Sequence, residues 1–215
     1  MITDYSLYFV ADADFGAGRD LLPLIEAAVR GGATVVQLRA KNRSFNDFVD
    51  LGRQAAAVLK RLGIPLLIND RVDVALACRA EGVHLGQEDV PPAMARRALA
   101  EGTVIGVSAK TPDEAREAER QGADYIGAGP VFVTASKAID LPVIGPDGVR
   151  RIKAAIRVPV VAIGGITEGN AGELRAAGAD GIAVISAILG AADPEAAARR
   201  LKSSFLGAGP LRRES

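Results

Sequence analysis

The chain has 215 residues, which is enough for one sizeable domain with a full hydrophobic core and short for two. Apolar residues make up 49% of it, and 26 basic side chains balance 26 acidic ones. This zero net charge gives no sign of a nucleic-acid or membrane partner, so any anion binding must come from local placement of charge.

The N-terminal stretch MITDYSLYFVADAD lacks a basic segment, and its apolar run is too short for a signal peptide or a membrane span. The single cysteine, Cys78, excludes an intramolecular disulfide and lies in an apolar pattern that predicts a small buried residue. The expected location is therefore the cytoplasm.

Strand-like apolar runs alternate with helical patterns along the chain. The predicted strands are Leu7–Val10, Val35–Arg39, Pro65–Ile68, Gly82–Leu85, Val104–Val107, Tyr125–Ala128, Val160–Ile163 and Gly181–Val184. The predicted helices are Leu21–Arg30, Phe45–Leu62, Val72–Cys78, Pro91–Ala100, Pro112–Gln121, Pro146–Ala155, Asn170–Ala177 and Pro194–Phe205. Because parallel strands are joined by helical crossovers, this alternation predicts a parallel sheet.

Residues typical of helix ends support these boundaries. Ser44, Thr111 and Asp193 are predicted N-caps, and Pro112 and Pro194 occupy first-turn positions. Glycines that favour the left-handed C-cap stand where helices are expected to stop: Gly32, Gly63, Gly82, Gly102, Gly122 and Gly178.

Eight strand–helix units in this length predict a single α/β domain, a (β/α)8 TIM barrel spanning residues 1–206, with a frayed tail at 207–215. Similar three-residue sequences recur just before strands, as in a degenerate internal repeat. They are Gly32-Ala33-Thr34, Gly122-Ala123-Asp124 and Gly178-Ala179-Asp180. A doubly wound open sheet is the alternative, and the lack of GxGxxG after the first strand disfavours it.

Polar residues alternate at the end of the second predicted strand. Gln37, Arg39 and Lys41 share one face, opposite Val36 and Leu38. The active site of such a barrel lies at the carboxyl ends of its strands, where two cations and an amide donor suit phosphate oxygens. The alternative is a solvated strand edge, which a closed barrel does not offer.

Carboxylates follow the third and fourth predicted strands, at Asp70 (after Asn69) and at Asp89. Mg²⁺ is typically bound by one or two carboxylates together with substrate phosphates and water. We therefore expect Asp70 and Asp89 to hold a divalent cation. Each could instead cap a following helix, and Glu88 could take the place of Asp89.

Ser108 directly follows the fifth predicted strand and could donate to a phosphate. The connection after the sixth strand begins GAGPVFVTASK and is the longest in the chain, and its hydroxyls and Lys137 are typical of a lid that closes over an anionic substrate. A flexible surface loop is the alternative.

The first predicted anion site lies at Arg39 and Lys41, and a second one is predicted at the ends of the last two strands. Gly164-Gly165 follows the seventh strand and Ile185-Ser186 the eighth, where this fold usually binds phosphate through backbone N–H groups. The only histidine, His84, lies inside a strand and is interpreted as a packed, hydrogen-bonded residue. Without a histidine base, catalysis is expected to rest on electrostatic stabilisation of a leaving group.

Several motifs together resemble the thiamine-phosphate synthase family over about Leu7 to Ala187. They are Leu7-Tyr8-Phe9-Val10-Ala11-Asp12, Gln37-Leu38-Arg39-Ala40-Lys41, Ile68-Asn69-Asp70-Arg71, Gly82-Val83-His84-Leu85-Gly86-Gln87-Glu88-Asp89, Gly129-Pro130-Val131-Phe132 and Gly164-Gly165-Ile166. The resemblance implies that hydroxymethylpyrimidine diphosphate and a thiazole phosphate are joined to give thiamine phosphate and pyrophosphate.

The same resemblance implies roles for single residues, with Lys137, Ser108 and Arg39 as the catalytic ones. Asp70 and Asp89 would hold Mg²⁺. The diphosphate would contact Arg39, Lys41, Asn69, Ser108 and Lys137, and the pyrimidine would lie near Tyr8 and Gln37. The thiazole phosphate would be bound by Thr134 and Ser136 and by backbone at Gly165, Ile185 and Ser186.

Some positions depart from the family pattern. Lys110 stands where relatives often have His, and Val133 and Ser136 stand where Pro and Thr are usual. Two other functions remain open: a thiazole tautomerase of the same fold, which Lys110 disfavours, and a barrel that binds thiazole phosphate without turnover. The expected partners are small-molecule substrates, and a homodimer is compatible with the sequence, which does not set the oligomeric state.

Overall fold

The computed structural model describes residues 2–15, 18–134 and 142–207. Within them, eight parallel strands close into a barrel in which each strand pairs with the next and the eighth with the first. The strands are β1 Leu7–Asp12, β2 Val35–Arg39, β3 Leu66–Asn69, β4 Gly82–Leu85, β5 Val104–Ala109, β6 Tyr125–Ala128, β7 Val160–Ile163 and β8 Gly181–Val184. The predicted (β/α)8 barrel is confirmed, and the open doubly wound sheet is wrong.

Helices surround this barrel. Those in the described residues are α1 Leu21–Arg30, α2 Phe45–Leu62, α3 Val72–Cys78, α4 Pro92–Ala98, α5 Pro112–Arg120, α6 Gly145–Ala155, α7 Ala171–Ala176, α8 Ser186–Leu189 and α9 Pro194–Leu206. The short α8 was not predicted, because four residues are too few to show a helical period.

The strands are buried on both faces, and alternation decides which core each side chain joins. Phe9, Val36 and Leu38 pack in the layer between strands and helices. Tyr8 and Val35, one position away, lie in a second cluster with Leu67, Val104 and Tyr125 inside the barrel. Side chains of the second set that stand nearest the carboxyl strand ends form the floor of any site there.

The predicted helix N-caps are confirmed. The side chains of Ser44, Thr111 and Asp193 each accept a hydrogen bond from a backbone N–H three residues later. Each bond satisfies one of the donors that a helix start leaves without an intrahelical partner.

The prediction that Gly82 stands at the end of α3 is wrong. That helix ends at Arg79, which itself adopts the left-handed conformation (φ 55°). Gly82 belongs to β4, where an added Cβ would lie 2.6 Å from the Val104 carbonyl oxygen. The glycine there permits close strand packing. Gly63, by contrast, closes α2 with φ 68°, as predicted.

Cys78 is buried and free, as expected. Of the predicted tail at 207–215, only Gly207 lies within the described residues, where it caps α9 with φ 72°. Among the described helices, none combines the length and the apolar character needed to cross a membrane.

Candidate active site

Asp70 and Asp89 meet at the carboxyl ends of β3 and β4. Asp89 is partly buried, and its pKa is raised mainly by that burial and further by the neighbouring Asp70 carboxylate. The Gly86 N–H donates to Asp89 Oδ2 at 2.7 Å and opposes this rise. The Lys41 ammonium lies 3.1 Å from Asp70 Oδ2. The two predicted carboxylates are therefore adjacent, with one cation beside them.

The backbone explains how Asp70 reaches this position. Asp70 has φ 61°, a left-handed conformation that Asp adopts more readily than most residues and that is frequent at functional sites. Its N–H donates to the His84 carbonyl at 2.8 Å, which ties the end of β3 to β4. The alternative role of Asp70 as a helix cap is wrong, because Arg71 is the N-cap position of α3 and no side-chain cap bond forms there.

This pair of carboxylates suits Mg²⁺. No cluster of three or more His, Cys, Asp or Glu side chains with metal-binding geometry occurs in the part of the chain that the structure describes. Two carboxylates that leave the other positions to water and substrate phosphates are the usual protein contribution to a Mg²⁺ site. Glu88, the alternative ligand, is exposed, so the geometry favours Asp89.

Arg39 ends β2, the strand that pairs with β3, and a buried carboxylate holds it. Asp12 is the register partner of Arg39 across β1 and β2 and forms an ion pair with Arg39 Nη1. The Asp12 side chain is only 3% exposed. Its other oxygen accepts the N–H groups of Asp14 (2.9 Å) and Phe15 (3.3 Å). Asp14 in turn accepts the Lys41 N–H at 2.9 Å.

Asp12 ends the motif Leu7-Tyr8-Phe9-Val10-Ala11-Asp12, and sequence reasoning missed its role. The signal that could have found it is strand alternation, since Tyr8, Val10 and Asp12 share the face that points into the barrel. A carboxylate on that face, next to Arg39, is expected to pair with it.

A chain of polar side chains crosses the barrel interior below the carboxylates. Gln37 Nε2 donates to the Tyr8 hydroxyl at 2.8 Å, and that hydroxyl lies 2.8 Å from the Tyr125 hydroxyl. The Tyr125 hydroxyl lies 2.7 Å from His84 Nδ1, and His84 Nε2 lies 2.9 Å from Ser108 Oγ. The interpretation of His84 as a packed, hydrogen-bonded residue is confirmed. The sequence reasoning missed Tyr125, because it begins a strand at the end remote from the expected site.

Burial keeps Tyr8 and Tyr125, the two tyrosines of this hydrogen-bond network, protonated. Desolvation raises the pKa of Tyr8 and that of Tyr125 well above the ordinary tyrosine value. Asn69, the remaining predicted residue of this region, is buried at the end of β3 next to Asp70.

Four of the residues predicted for the second anion site line one small cleft. Thr134, Gly165, Ile185 and Ser186 come together there from the ends of β6, β7 and β8. Asn170, which the sequence reasoning did not single out, fixes the loop after β7. Its side chain donates to the Gly165 carbonyl at 3.0 Å and accepts the Thr167 N–H at 2.8 Å.

The glycine pair after β7 packs against protein backbone. Gly164 and Gly165 have φ 103° and 64°, and a Cβ on Gly165 would lie 2.4 Å from the Val133 carbonyl oxygen. The Val131 N–H donates to Ile163 and the Phe132 N–H to Gly164. The start of the predicted lid is therefore fastened to β7 as far as Phe132. Ser136 and Lys137 lie outside the described residues.

Comparison with known proteins gives one family over most of the chain. The family model described as thiamine monophosphate synthase matches residues 7–188. A thiamine-phosphate synthase of Moorella thermoacetica is 48% identical over 198 residues, covering 92% of this chain and 94% of that protein. One of Chloroflexus aurantiacus is 48% identical over 202 residues, covering 94% and 93%.

Solved structures agree with this result. The thiamine phosphate pyrophosphorylase of Pyrococcus furiosus superposes with a TM-score of 0.86 at 40% identity, covering 94% of this chain and 96% of that one. A 3-hexulose-6-phosphate synthase at 20% identity, with a TM-score of 0.69 and coverage of 93% and 99%, shares the fold alone. This chain belongs to the thiamine monophosphate synthase family.

Proposed function

We propose that this protein joins hydroxymethylpyrimidine diphosphate to a thiazole phosphate to form thiamine phosphate and pyrophosphate. The observation that carries the proposal is the meeting of Asp70, Asp89 and Lys41 at the end of the barrel where Arg39 ends the neighbouring strand β2. As a member of the family, the protein is a transferase of thiamine biosynthesis. Its proposed partners are these small-molecule substrates.

The first anion site would bind the diphosphate. Arg39 and Lys41 supply positive charge, and Asn69 and Ser108 supply polar contacts, while Tyr8 and Gln37 would lie near the pyrimidine. Asp12 supports this assignment, because within the described residues it engages Nη1 of Arg39 and leaves the other N–H donors to a ligand. Lys137, predicted to touch the diphosphate, and Ser136, predicted to bind the thiazole phosphate, remain predictions from the sequence.

Asp70 and Asp89 would hold Mg²⁺, which when bound neutralises charge on the diphosphate. The adjacency of the two carboxylates supports this role, since burial and mutual repulsion raise the pKa of Asp89 and a divalent cation relieves that repulsion. Lys41 offsets only one of the two negative charges.

The second anion site would bind the thiazole phosphate through Thr134 and through backbone at Gly165, Ile185 and Ser186. Their convergence in one cleft supports this assignment. The two sites stand at the same end of the barrel, so the two reactants would be held together, which removes much of the entropic cost of a bimolecular reaction.

The proposed chemistry needs no protein nucleophile. The bond between the pyrimidine methylene carbon and the diphosphate oxygen breaks, and pyrophosphate leaves with the electron pair. The thiazole nitrogen then attacks the methylene carbon with its lone pair and forms the new C–N bond. Arg39, Lys41 and Ser108 would stabilise the negative charge that develops on the leaving oxygen.

Release of pyrophosphate from the two substrates tests this proposal. With Mg²⁺ present, we expect the wild type to release pyrophosphate and Asp70→Asn and Asp89→Asn to lose roughly a hundredfold or more in kcat, as is typical when one electrostatic contact to a leaving group is removed. Binding of thiazole phosphate, measured by calorimetry, should persist in both variants.

Glu88→Gln is the matched control, because Glu88 is an exposed carboxylate next to Asp89. It should behave as the wild type. Full turnover in EDTA, or in both aspartate variants, would refute the metal assignment. Absence of pyrophosphate release by the wild type would refute the synthase reaction and favour a tautomerase or a binding protein.

A further inference from the structure

The interior hydrogen-bond chain Gln37–Tyr8–Tyr125–His84–Ser108 can run in two directions, and the orientation of the Gln37 amide in the structure selects one of them. The Gln37 amide nitrogen can only donate, so the Tyr8 oxygen accepts that bond and its own proton is directed to Tyr125. The Tyr125 proton is then directed to His84 Nδ1. In this direction His84 Nδ1 is an acceptor, and the imidazole proton lies on Nε2, 2.9 Å from Ser108 Oγ.

The barrel leaves room for the two central rings of this chain. A Cβ on Gly106 would lie 2.1 Å from Tyr125 Cζ, and a Cβ on Gly127 would lie 2.8 Å from His84 Cε1. Such distances do not occur between real side chains and the atoms they touch, so both positions require glycine while the rings stay where they are. The placement of Tyr125 and His84 thus depends on two further residues of the barrel wall.

We propose that Tyr125 and His84 are positioning residues that fix the Ser108 hydroxyl as a hydrogen-bond donor. Because Ser108 Oγ accepts a hydrogen bond from the His84 Nε2–H, the Ser108 hydroxyl proton is left for an acceptor at the site. For the reaction proposed above, on which this part of the inference rests, that acceptor is an oxygen of the leaving diphosphate. Gln37, Tyr8 and Tyr125 would transmit the orientation across the barrel.

The opposite direction would give an unsuitable site. If the Gln37 carbonyl faced Tyr8, each hydroxyl would turn round, His84 would carry its proton on Nδ1 and Ser108 would donate to Nε2. Only lone pairs of Ser108 would then remain for an anion, which needs donors. The two directions therefore differ in one measurable property, the tautomer of His84.

Nitrogen-15 NMR of the untagged protein measures this property, because His84 is the only histidine. The two neutral tautomers and the imidazolium ion have different nitrogen shifts and different couplings to the ring protons. Near neutral pH and without substrates, we expect one neutral species protonated on Nε2. A species protonated on Nδ1, or an imidazolium ion, would overturn the inference.

Tyr125→Phe interrupts the chain at its centre while it keeps the ring. We expect His84 to lose its single tautomer, and we expect kcat for pyrophosphate release to fall about tenfold with little change in KM, as for loss of one oriented hydrogen bond. Tyr5→Phe is the control. The Tyr5 ring packs on Tyr125 with centroids 5.0 Å apart, but its hydroxyl is outside the chain.

Tyr5→Phe should leave the His84 spectrum and kcat unchanged. If Tyr125→Phe gives the same His84 spectrum as Tyr5→Phe, Tyr125 does not orient His84 and the inference is wrong. The spectrum does not depend on turnover. A wild-type protein with the Nε2 tautomer but no pyrophosphate release would therefore refute the proposed function and leave the orientation of the chain standing.

Discussion

At the scale of single residues, the ion pair between Asp12 and Arg39 joins stability to function. Asp12 is almost fully buried and Arg39 only slightly exposed, so each charge depends on the other for compensation. The same carboxylate holds two N–H groups of the loop after β1. One side chain therefore orders a loop and orients the guanidinium that we propose to contact the diphosphate.

Asp12→Asn should separate these effects, because an amide retains the oxygen that the loop N–H groups use but removes the charge. We expect a loss of about 2–4 kcal/mol in the free energy of unfolding, since Arg39 is left partly buried without a counterion. Pyrophosphate with Mg²⁺ should raise the melting temperature more in this variant than in the wild type, because the ligand supplies the missing charge.

Asp73→Asn is the matched control, since Asp73 pairs with Arg71 on the exposed surface. Surface pairs contribute little, so its stability should change by less than about 1 kcal/mol. Equal losses in the two variants, measured by chemical denaturation, would show that the burial of Asp12 has no special energetic importance.

At the scale of elements, the recurring Gly-Ala-Asp sequence explains how backbone N–H groups at the start of strands find hydrogen-bond acceptors. Asp180, just before β8, accepts the Val160 N–H at the start of β7 at 2.7 Å and the Lys153 ammonium at 2.6 Å. Asp124, just before β6, accepts the Ile105 N–H at 2.7 Å and an Arg96 N–H at 2.6 Å. In both places, the carboxylate of the Gly-Ala-Asp sequence thus caps the start of the preceding strand.

Asp180→Ala should cost about 1–3 kcal/mol, because the Val160 N–H at the start of β7 would lose its acceptor. In a chain of this size that corresponds to a fall of roughly 2–12 °C in melting temperature. Asp113→Ala is the control, since Asp113 is exposed and forms its ion pair with Arg116 of the same helix, α5. Equal melting temperatures of Asp180→Ala and Asp113→Ala would contradict the capping role.

Element boundaries show where sequence reasoning succeeded and failed. Apolar runs and capping residues predicted every strand and the longer helices, because these features act locally. The ends of β1 and β5 were placed too early, since Asp12 and Ser108 are polar and do not look like strand residues. Asp12 and Ser108 belong to strands because they pair with residues of the neighbouring strands and contact side chains at the barrel interior. A local sequence pattern does not contain that information.

At the scale of the whole molecule, the parallel barrel brings distant parts of the chain to one end. This is why Asp70 and Asp89, and likewise Gly165 and Ser186, could be predicted to meet, since carboxyl ends of parallel strands necessarily lie on the same side. The interior chain could not be predicted, because its closure through Tyr125 depends on which side chains fit around two glycines.

The convergence of charge at this end makes the stability of the whole barrel sensitive to its ligands. A ligand that binds only the folded state at about 100 times its dissociation constant stabilises that state by about 2.7 kcal/mol. For a domain of this size, that is an increase of roughly 5–10 °C in melting temperature. We expect Mg²⁺ with pyrophosphate to give such an increase, and pyrophosphate in EDTA to give much less.

The variants already described separate the contributions to this increase. Asp89→Asn should lose the part that depends on Mg²⁺, because one of its two carboxylates is gone, whereas Glu88→Gln should keep it. Inorganic phosphate without metal should still stabilise the Asp89→Asn variant, because the cleft of Thr134, Gly165 and Ser186 contains neither carboxylate. Equal increases with pyrophosphate in Mg²⁺ and in EDTA would show that the first anion site recognises its ligand through side chains such as Arg39 and Lys41, without the metal.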